Sequence, residues 1–147
     1  MVPITFKISQ AVLLAFHAMA ELAKRPEARQ TTGDLAARLN LSAAHLAKIM
    51  QKLTRAGLLQ STRGPSGGFS LARDPAAIRM QDIYAAIEGD PRADTGPFIT
   101  RRWGKGDCVF GTMLADVSSA ISRYLEGTSL SDAARGYIPA TLKTGNA

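Results

Sequence analysis

Four side chains able to carry positive charge recur every three or four residues in the middle of the chain: His45, Lys48, Lys52 and Arg55. Residues with this spacing share one stripe of an α-helix. A second stripe of the same period is apolar and comprises Leu46, Ile49, Met50 and Leu53. A helix that buries the second stripe presents the first to solvent, where it suits the phosphates and base edges of a polyanion. Taken alone, a charged helix face is more often merely solvated.

A second group with chemical potential is Cys108, the one cysteine of the chain. Arg101, Arg102 and Lys105 precede it, and a predicted helix begins directly after it. Cations and a helix N-terminus both favour the reactive thiolate. Three interpretations stay open: a redox or nitrosative sensor, an inert packed thiol, or the remnant of a lost metal centre. A single cysteine excludes an intramolecular disulfide, which suits a reducing, cytoplasmic compartment.

No residues are spaced like a catalytic centre. Cys108 has no histidine close to it in sequence for nucleophilic catalysis, and no paired carboxylates or metal-ligand spacings stand out. The glycine-rich segment at 64–68 lies between predicted strands, whereas a nucleotide-binding loop precedes a helix. We therefore expect that the protein is not an enzyme.

The excess positive charge is confined to the first half of the chain. The 147 residues carry a formal net charge of +6. Residues 1–75 contain ten Lys/Arg and four Asp/Glu, whereas residues 76–147 contain eight of each. A basic module joined to a neutral one predicts a polyanionic partner. The apolar stretch at 8–22 is interrupted by polar residues and too short to span a bilayer, so no membrane association is expected.

The elements that position the basic stripe can be read from helix-start and helix-stop signals. Apolar residues at helical spacing predict a first, buried helix from about residue 8 to 25. Thr31 and Thr32 begin a second helix, with a threonine oxygen as the cap. After a tight turn at 40–41, Ser42 caps a third helix over 43–56, which ends at Gly57.

The second half of the pattern predicts a hairpin and further helices. Strands are expected at 58–63 and 68–72 around a glycine-rich tip, followed by helices at 80–88, 109–126 and 129–135. The long helix carries apolar residues four apart: Val109, Met113, Val117, Ile121 and Leu125. We predict a mainly α fold with a small β-hairpin wing: a winged helix-turn-helix DNA-binding domain (1–89), a loop (90–107), a long helix with a short C-terminal helix (108–135) and a flexible tail (136–147).

This order of elements has a geometric meaning. A recognition helix fits the major groove of DNA with its first residues at base edges, and a glycine-tipped hairpin reaches the adjacent minor groove. Arg63 stands at the base of that hairpin. An interaction module that kept the fold and lost DNA binding is the alternative, and the segregated charge weighs against it.

Several segments resemble one known family, the Rrf-type regulators that include the iron–sulfur regulator IscR and the nitric-oxide sensor NsrR. The resemblance covers roughly residues 8–135. Its most specific part is the run from Arg63 through Gly64, Pro65 and Gly67 to Gly68. The resemblance implies a homodimer that binds palindromic operator DNA as a transcriptional regulator and repressor. It also implies that the loop at 90–107 is a sensor-type loop and that the long helix in 108–135 is a dimerisation helix across the dimer axis. The implied DNA-binding residues are Thr32, Ser42, Ala43, Ala44, His45, Lys48, Lys52, Arg63, Gly64, Pro65, Ser66 and Gly67.

The sequence departs from the family at the metal centre. Cluster-binding members carry three cysteines in and beyond the loop before the long helix, and Cys108 resembles the first of them. Leu114 and Ala120 lie where further ligands would be sought, and neither can bind iron. We therefore expect no cofactor. The alternative is an iron–sulfur cluster with non-standard ligands, Cys108 and His17.

Overall fold

The computed structural model describes residues 8–89 and 109–136. As the sequence predicts, this part of the chain is mostly helical and contains one two-stranded hairpin. In chain order the elements are α1 (Gln10–Ala23), α2 (Thr32–Leu39), α3 (Ala43–Arg55), β1 (Leu59–Thr62), β2 (Gly68–Leu71), α4 (Met80–Glu88), α5 (Val109–Gly127) and α6 (Leu130–Ala134).

The helix starts follow from side-chain caps. The Thr31 hydroxyl accepts a hydrogen bond from the Asp34 amide at 3.1 Å, and the Ser42 hydroxyl accepts one from the His45 amide at 3.4 Å. Both satisfy amides that have no partner within the first helical turn. Between α2 and α3 the chain reverses at Asn40, whose φ of 54° is the left-handed conformation that asparagine tolerates. Both predicted caps are therefore confirmed.

One hydrophobic core joins α1, α3 and α4 beneath the hairpin. The apolar stripe of α3 lies wholly inside it, with the least buried member only 4% exposed. Leu58 and Leu59 continue this core into the first strand. Because its inner face is fixed in this way, α3 has one orientation, and its other face is held outward. The prediction of a buried first helix is wrong at one residue, because Ile8 lies before α1 and is 37% exposed.

The hairpin strands pair in antiparallel register from Leu59 opposite Leu71 to Thr62 opposite Gly68. A third strand-like contact comes from Gln30, just before α2. Its amide donates to the Phe69 carbonyl at 2.9 Å, and the Phe69 amide donates to the Gln30 carbonyl at 2.8 Å. This bridge fixes the hairpin to the start of α2. An isolated two-stranded hairpin is at best marginally stable, so the bridge matters for its position.

The end of the described chain folds back onto the start of α4. The Met80 amide donates to Thr128 at 2.9 Å, and the Leu130 amide donates to Ile78 at 2.8 Å. Leu130 is fully buried. These bonds place α6 against α1 and anchor the C-terminal end of α5 to the domain.

The long helix has two apolar faces, where the sequence spacing suggested one stripe. Leu125 is 6% exposed and packs with Ile121 against the domain. Val109, Met113 and Val117 instead face solvent, with 78%, 52% and 38% exposure. The four-residue spacing drifts around the helix, because 3.6 residues make one turn. As a result, the ends of the predicted stripe lie on different faces.

Some expectations fall outside the described residues. They concern Cys108, the loop at 90–107 and all of the tail except Gly136. Among the described residues, no helix is both long enough and apolar enough to cross a membrane.

Candidate nucleic-acid interface

The outer face of α3 is a continuous polar and basic surface. Its first turn carries Ala43, Ala44 and His45, all exposed, and Lys48 and Lys52 follow on the solvent side. Small residues in the first turn let the backbone approach a partner closely. The buried inner face makes this surface rigid. Such a helix suits the major groove, where its early residues can reach base edges.

The hairpin carries a further exposed cation, Arg63, close to α3. Arg63, Gly64, Pro65 and Ser66 are exposed at its tip. Gly64 has a φ of 103°, and a Cβ placed there would meet no atom within 4 Å. The glycine is therefore required by the turn conformation itself, and its face is open to a partner.

The glycines on the far side of the tip have a different role. A Cβ on Gly67 would overlap the Thr62 carbonyl oxygen. A Cβ on Gly68 would lie 2.7 Å from the Gln30 carbonyl oxygen. These glycines permit close packing of the hairpin on itself and on α2. Gly67, expected at the DNA contact, is half-buried and faces its own chain.

An open groove of about 550 Å³ lies between α3 and the hairpin. It brings together residues that the sequence separates by about thirty positions. Thr32 at the start of α2 faces Arg55 at the end of α3 and Arg63 on the hairpin. The N-terminus of α2 adds a partial positive charge of its own. Cations and a helix N-terminus around one groove favour an anionic occupant such as a phosphate.

The charge distribution is one-sided. Residues 35–73 contain six Lys/Arg and no Asp/Glu. In the described part of the chain, Lys48, Lys52, Arg55 and Arg63 form no ion pair, and all four are exposed. Unpaired cations on one face carry their full charge towards a ligand.

The predicted residues form two groups. Thr32, Arg63, Gly64, Pro65 and Gly67 line the groove. The remaining predicted contacts lie outside that lining: Ser66 at the hairpin tip, and Ser42, Ala43, Ala44, His45, Lys48 and Lys52 on α3 or its cap.

The hydroxyl of Ser42 already caps α3, so its first role is structural. Sequence reasoning left Gln51, Thr54 and Arg55 out of the contact set, although all three line the groove. The sequence carries a signal for two of them, because Gln51 and Arg55 lie three and seven residues after Lys48 and so share its face of the helix.

The alternative metal site pairs His17 with Cys108, which lies outside the described residues. His17 lies exposed on α1. Among residues 8–89 and 109–136, no group of three His, Cys, Asp or Glu side chains could hold a metal ion. The chain supplies one thiolate in all, whereas cluster ligation is dominated by cysteine.

These features together define a class of protein. Two helices joined by a tight turn, the second with a free basic face, are followed by a glycine-tipped hairpin that lies beside that face. This is a winged helix-turn-helix protein, as predicted.

The chain belongs to the Rrf2 family, because the family model described as an iron-dependent transcriptional regulator matches residues 8–136. Membership confirms the resemblance seen in the sequence. BadM from Rhodopseudomonas palustris is 36% identical over 90 residues, which cover 61% of this chain and 54% of BadM. The HTH-type transcriptional regulator IscR of Vibrio cholerae is 34% identical over 105 residues, which cover 67% of this chain and 57% of IscR.

Solved structures agree with the family and the fold. CymR, the global cysteine regulator of B. subtilis, superposes with a TM-score of 0.71 at 29% identity, over 89% of this chain and 98% of CymR. IscR of T. potens gives a TM-score of 0.74 at 27% identity, over 92% of this chain and 90% of that protein.

The chain spans little more than half the length of BadM and of the IscR relatives. The family is one of transcriptional regulators, as the sequence resemblance implies.

Proposed function

We propose that the protein is a sequence-specific DNA-binding transcriptional regulator, a repressor that binds palindromic operators as a homodimer. The observation that carries the proposal is the position of Arg63 across one groove from Arg55, the last cation of the basic face of α3. In this arrangement α3 enters the major groove of the operator, and the hairpin tip enters the adjacent minor groove. Repression follows because an occupied operator excludes RNA polymerase.

The contacts divide by task. The first turn of α3, with His45 and Lys48, reads base edges. Lys52, Arg55 and the N-terminus of α2 contact phosphates and fix the register. Arg63 and the exposed tip follow the minor groove, whose negative potential is strongest where A·T pairs narrow it.

Homodimerisation is supported by α5. Its exposed apolar side chains follow a heptad pattern, with alternating steps of three and four: Phe110, Met113, Val117, Ala120 and Tyr124. We call these five residues the α5 seam. A repeat of this kind buries itself against a second helix of the same kind. Two copies of the domain then present two α3 helices to one palindrome.

The first prediction concerns Lys48→Ala. Each protomer loses a base contact and a cation held close to the phosphates. Operator binding should therefore weaken about tenfold, and the slope of log affinity against log salt concentration should fall by about two for the dimer. Fluorescence anisotropy over a series of salt concentrations measures both quantities. Arg135→Ala is the matched control, because it removes the same charge from the residue that follows α6, where Arg135 pairs with Asp132 at 2.7 Å. Equal losses in the two variants would contradict the role of Lys48.

The second prediction concerns Arg63→Ala. Binding to the preferred operator should weaken about tenfold, and the preference for A·T pairs beneath the hairpin should fall. A panel of operators that differ only at those pairs measures the change. Retention of the full A·T preference would place the minor-groove contact elsewhere.

The signal-sensing part of the proposal rests on Cys108, which immediately precedes α5. Modification of this thiol would alter the start of the helix that carries the α5 seam. We expect anaerobically purified protein to be colourless in the ultraviolet–visible spectrum. We also expect peroxide or nitric oxide to reduce operator binding in the wild type and not in Cys108→Ser. A spectrum with visible absorption bands would favour the cluster instead.

A further inference from the structure

Among the cations of residues 35–73, Arg38 is distinguished by a guanidinium that already bonds to other residues of the chain. One terminal nitrogen donates to the side-chain oxygen of Gln30. The other lies 3.9 Å from a carboxylate oxygen of Glu21. Arg38 therefore joins the C-terminal part of α2 to α1 and to the residue that bridges to the hairpin.

Gln30 is held from both sides. It is only 4% exposed, and its side-chain nitrogen donates to the Glu21 carbonyl at 3.4 Å. Its backbone pairs in both directions with Phe69 of β2. The side chain of Gln30 thus fastens to α1 and α2, while its main chain fastens to the hairpin.

We propose that Glu21, Gln30 and Arg38 form a wing anchor that sets the angle of the hairpin relative to α3. Arg38 is then a positioning residue for Arg63 and not a phosphate contact. This inference rests on the proposed function, since it assigns a task within the same DNA-binding surface.

The limited pairing of the hairpin and the buried amide of Gln30 support the anchor. The hairpin has two strands, and its third strand-like contact is the single pair formed by Gln30 and Phe69. A buried amide keeps its position only where its donors and acceptors are satisfied. The planar fork of arginine can serve two acceptors at once, whereas lysine acts as a point charge and cannot reproduce that geometry.

Arg38→Lys separates the two roles of Arg38, because it keeps the charge and loses the fork. We expect operator binding to weaken about tenfold, and the uncharged change Gln30→Met to cause a similar loss. Lys24→Ala is the matched control. Lys24 pairs with the same Glu21 at 2.6 Å but forms no bond to Gln30, so affinity should stay within about twofold. Wild-type affinity in Arg38→Lys would overturn the anchor.

A double-mutant cycle tests whether Arg38 acts through the hairpin. If the anchor positions Arg63, Arg38→Lys should cost less than about twofold once Arg63 is already alanine. When Arg38→Lys is combined with Lys48→Ala, the two losses of operator-binding free energy should add. Additivity would also show that α3 is still folded and still contacts the operator. Additive losses of Arg38→Lys and Arg63→Ala would contradict the proposal.

Hydrogen exchange in the free protein gives a readout that needs no DNA. The amides of Gln30 and Phe69 should exchange at least about tenfold faster in Arg38→Lys than in the wild type, with α3 amides unchanged. If the wild type failed to bind DNA, the proposed function would fall and faster exchange would still support the anchor. Unchanged exchange at both amides would refute the anchor, whatever happens with DNA.

Discussion

Alanine at Gly68 should release the hairpin from α2 and lower both stability and operator affinity. A Cβ at this position would lie 2.7 Å from the Gln30 carbonyl oxygen and 2.9 Å from its carbonyl carbon. Both atoms belong to the backbone, so no flexible side chain can move aside. The φ of Gly68 is 146°, which also disfavours any residue with a side chain. The pairing of Gln30 with Phe69 must therefore break or shift.

We expect the free energy of unfolding to fall by about 2 kcal/mol, in the range for lost backbone pairing and strain. Operator affinity should fall further than in Arg63→Ala, at least about thirtyfold, because the whole tip moves as well as one side chain. Thermal unfolding followed by circular dichroism measures the first effect, and anisotropy measures the second.

Gly33→Ala makes the same chemical change where there is room for it. Gly33 lies within α2, and a Cβ there meets its nearest neighbour at 3.8 Å. Gly33 is the second residue of α2. The advantage of alanine over glycine reaches about 0.5–1 kcal/mol in a helix interior, so this first-turn variant should be at least as stable as the wild type. A Gly68→Ala protein as stable as Gly33→Ala would show that the contact of Gln30 with the hairpin is loose.

The parts of the structure that sequence patterns predict well are those governed by local rules. Thr31 and Ser42 cap the helices expected of them, because capping depends on residues three positions apart. The two stripes of α3 follow from helical periodicity alone. The glycine-rich tip indicates a turn, because tight hairpin turns use φ angles that glycine adopts easily. These local signals were enough to predict the wing and the recognition helix.

The relations that sequence patterns do not give are those between distant segments. Gln30 and Phe69 lie thirty-nine positions apart, and neither residue type signals a bridge. In the sequence, nothing distinguishes Arg38 from an ordinary surface cation. Only the fold places it beside Glu21 and Gln30. The same holds for Gly68, whose close neighbour is a backbone oxygen of another segment. Such contacts depend on tertiary packing, which no short window of sequence contains.

Aspartate at Val117 should convert the protein from a dimer into a monomer. Val117 is the central position of the α5 seam, with Phe110 and Tyr124 seven residues to either side. Phe110 and Tyr124 are 70% and 38% exposed in the single chain. A fully buried apolar side chain of this size contributes about 1.5–3 kcal/mol, so several in one seam can hold a dimer. An unpaired carboxylate in the middle of the seam carries a desolvation cost of several kcal/mol.

The loss of the dimer should reduce affinity for a two-half-site operator by at least about a hundredfold, since each half-site then binds separately. Affinity for a single half-site should stay almost unchanged, because Val117 lies outside the DNA-binding surface. Light scattering coupled to size exclusion reports the oligomeric state, and anisotropy with one or two half-sites reports both affinities.

Ser119→Asp is the matched control for Val117→Asp. It adds the same charge to an exposed position of α5 outside the seam, four residues before Arg123. An acidic residue four positions before a basic one supports the helix by about 0.2–0.5 kcal/mol. This variant should remain dimeric and bind the full operator as the wild type does. If Val117→Asp also stayed dimeric, the exposed seam of α5 would not be the dimer interface, and the paired recognition helices would have to be assembled through another face.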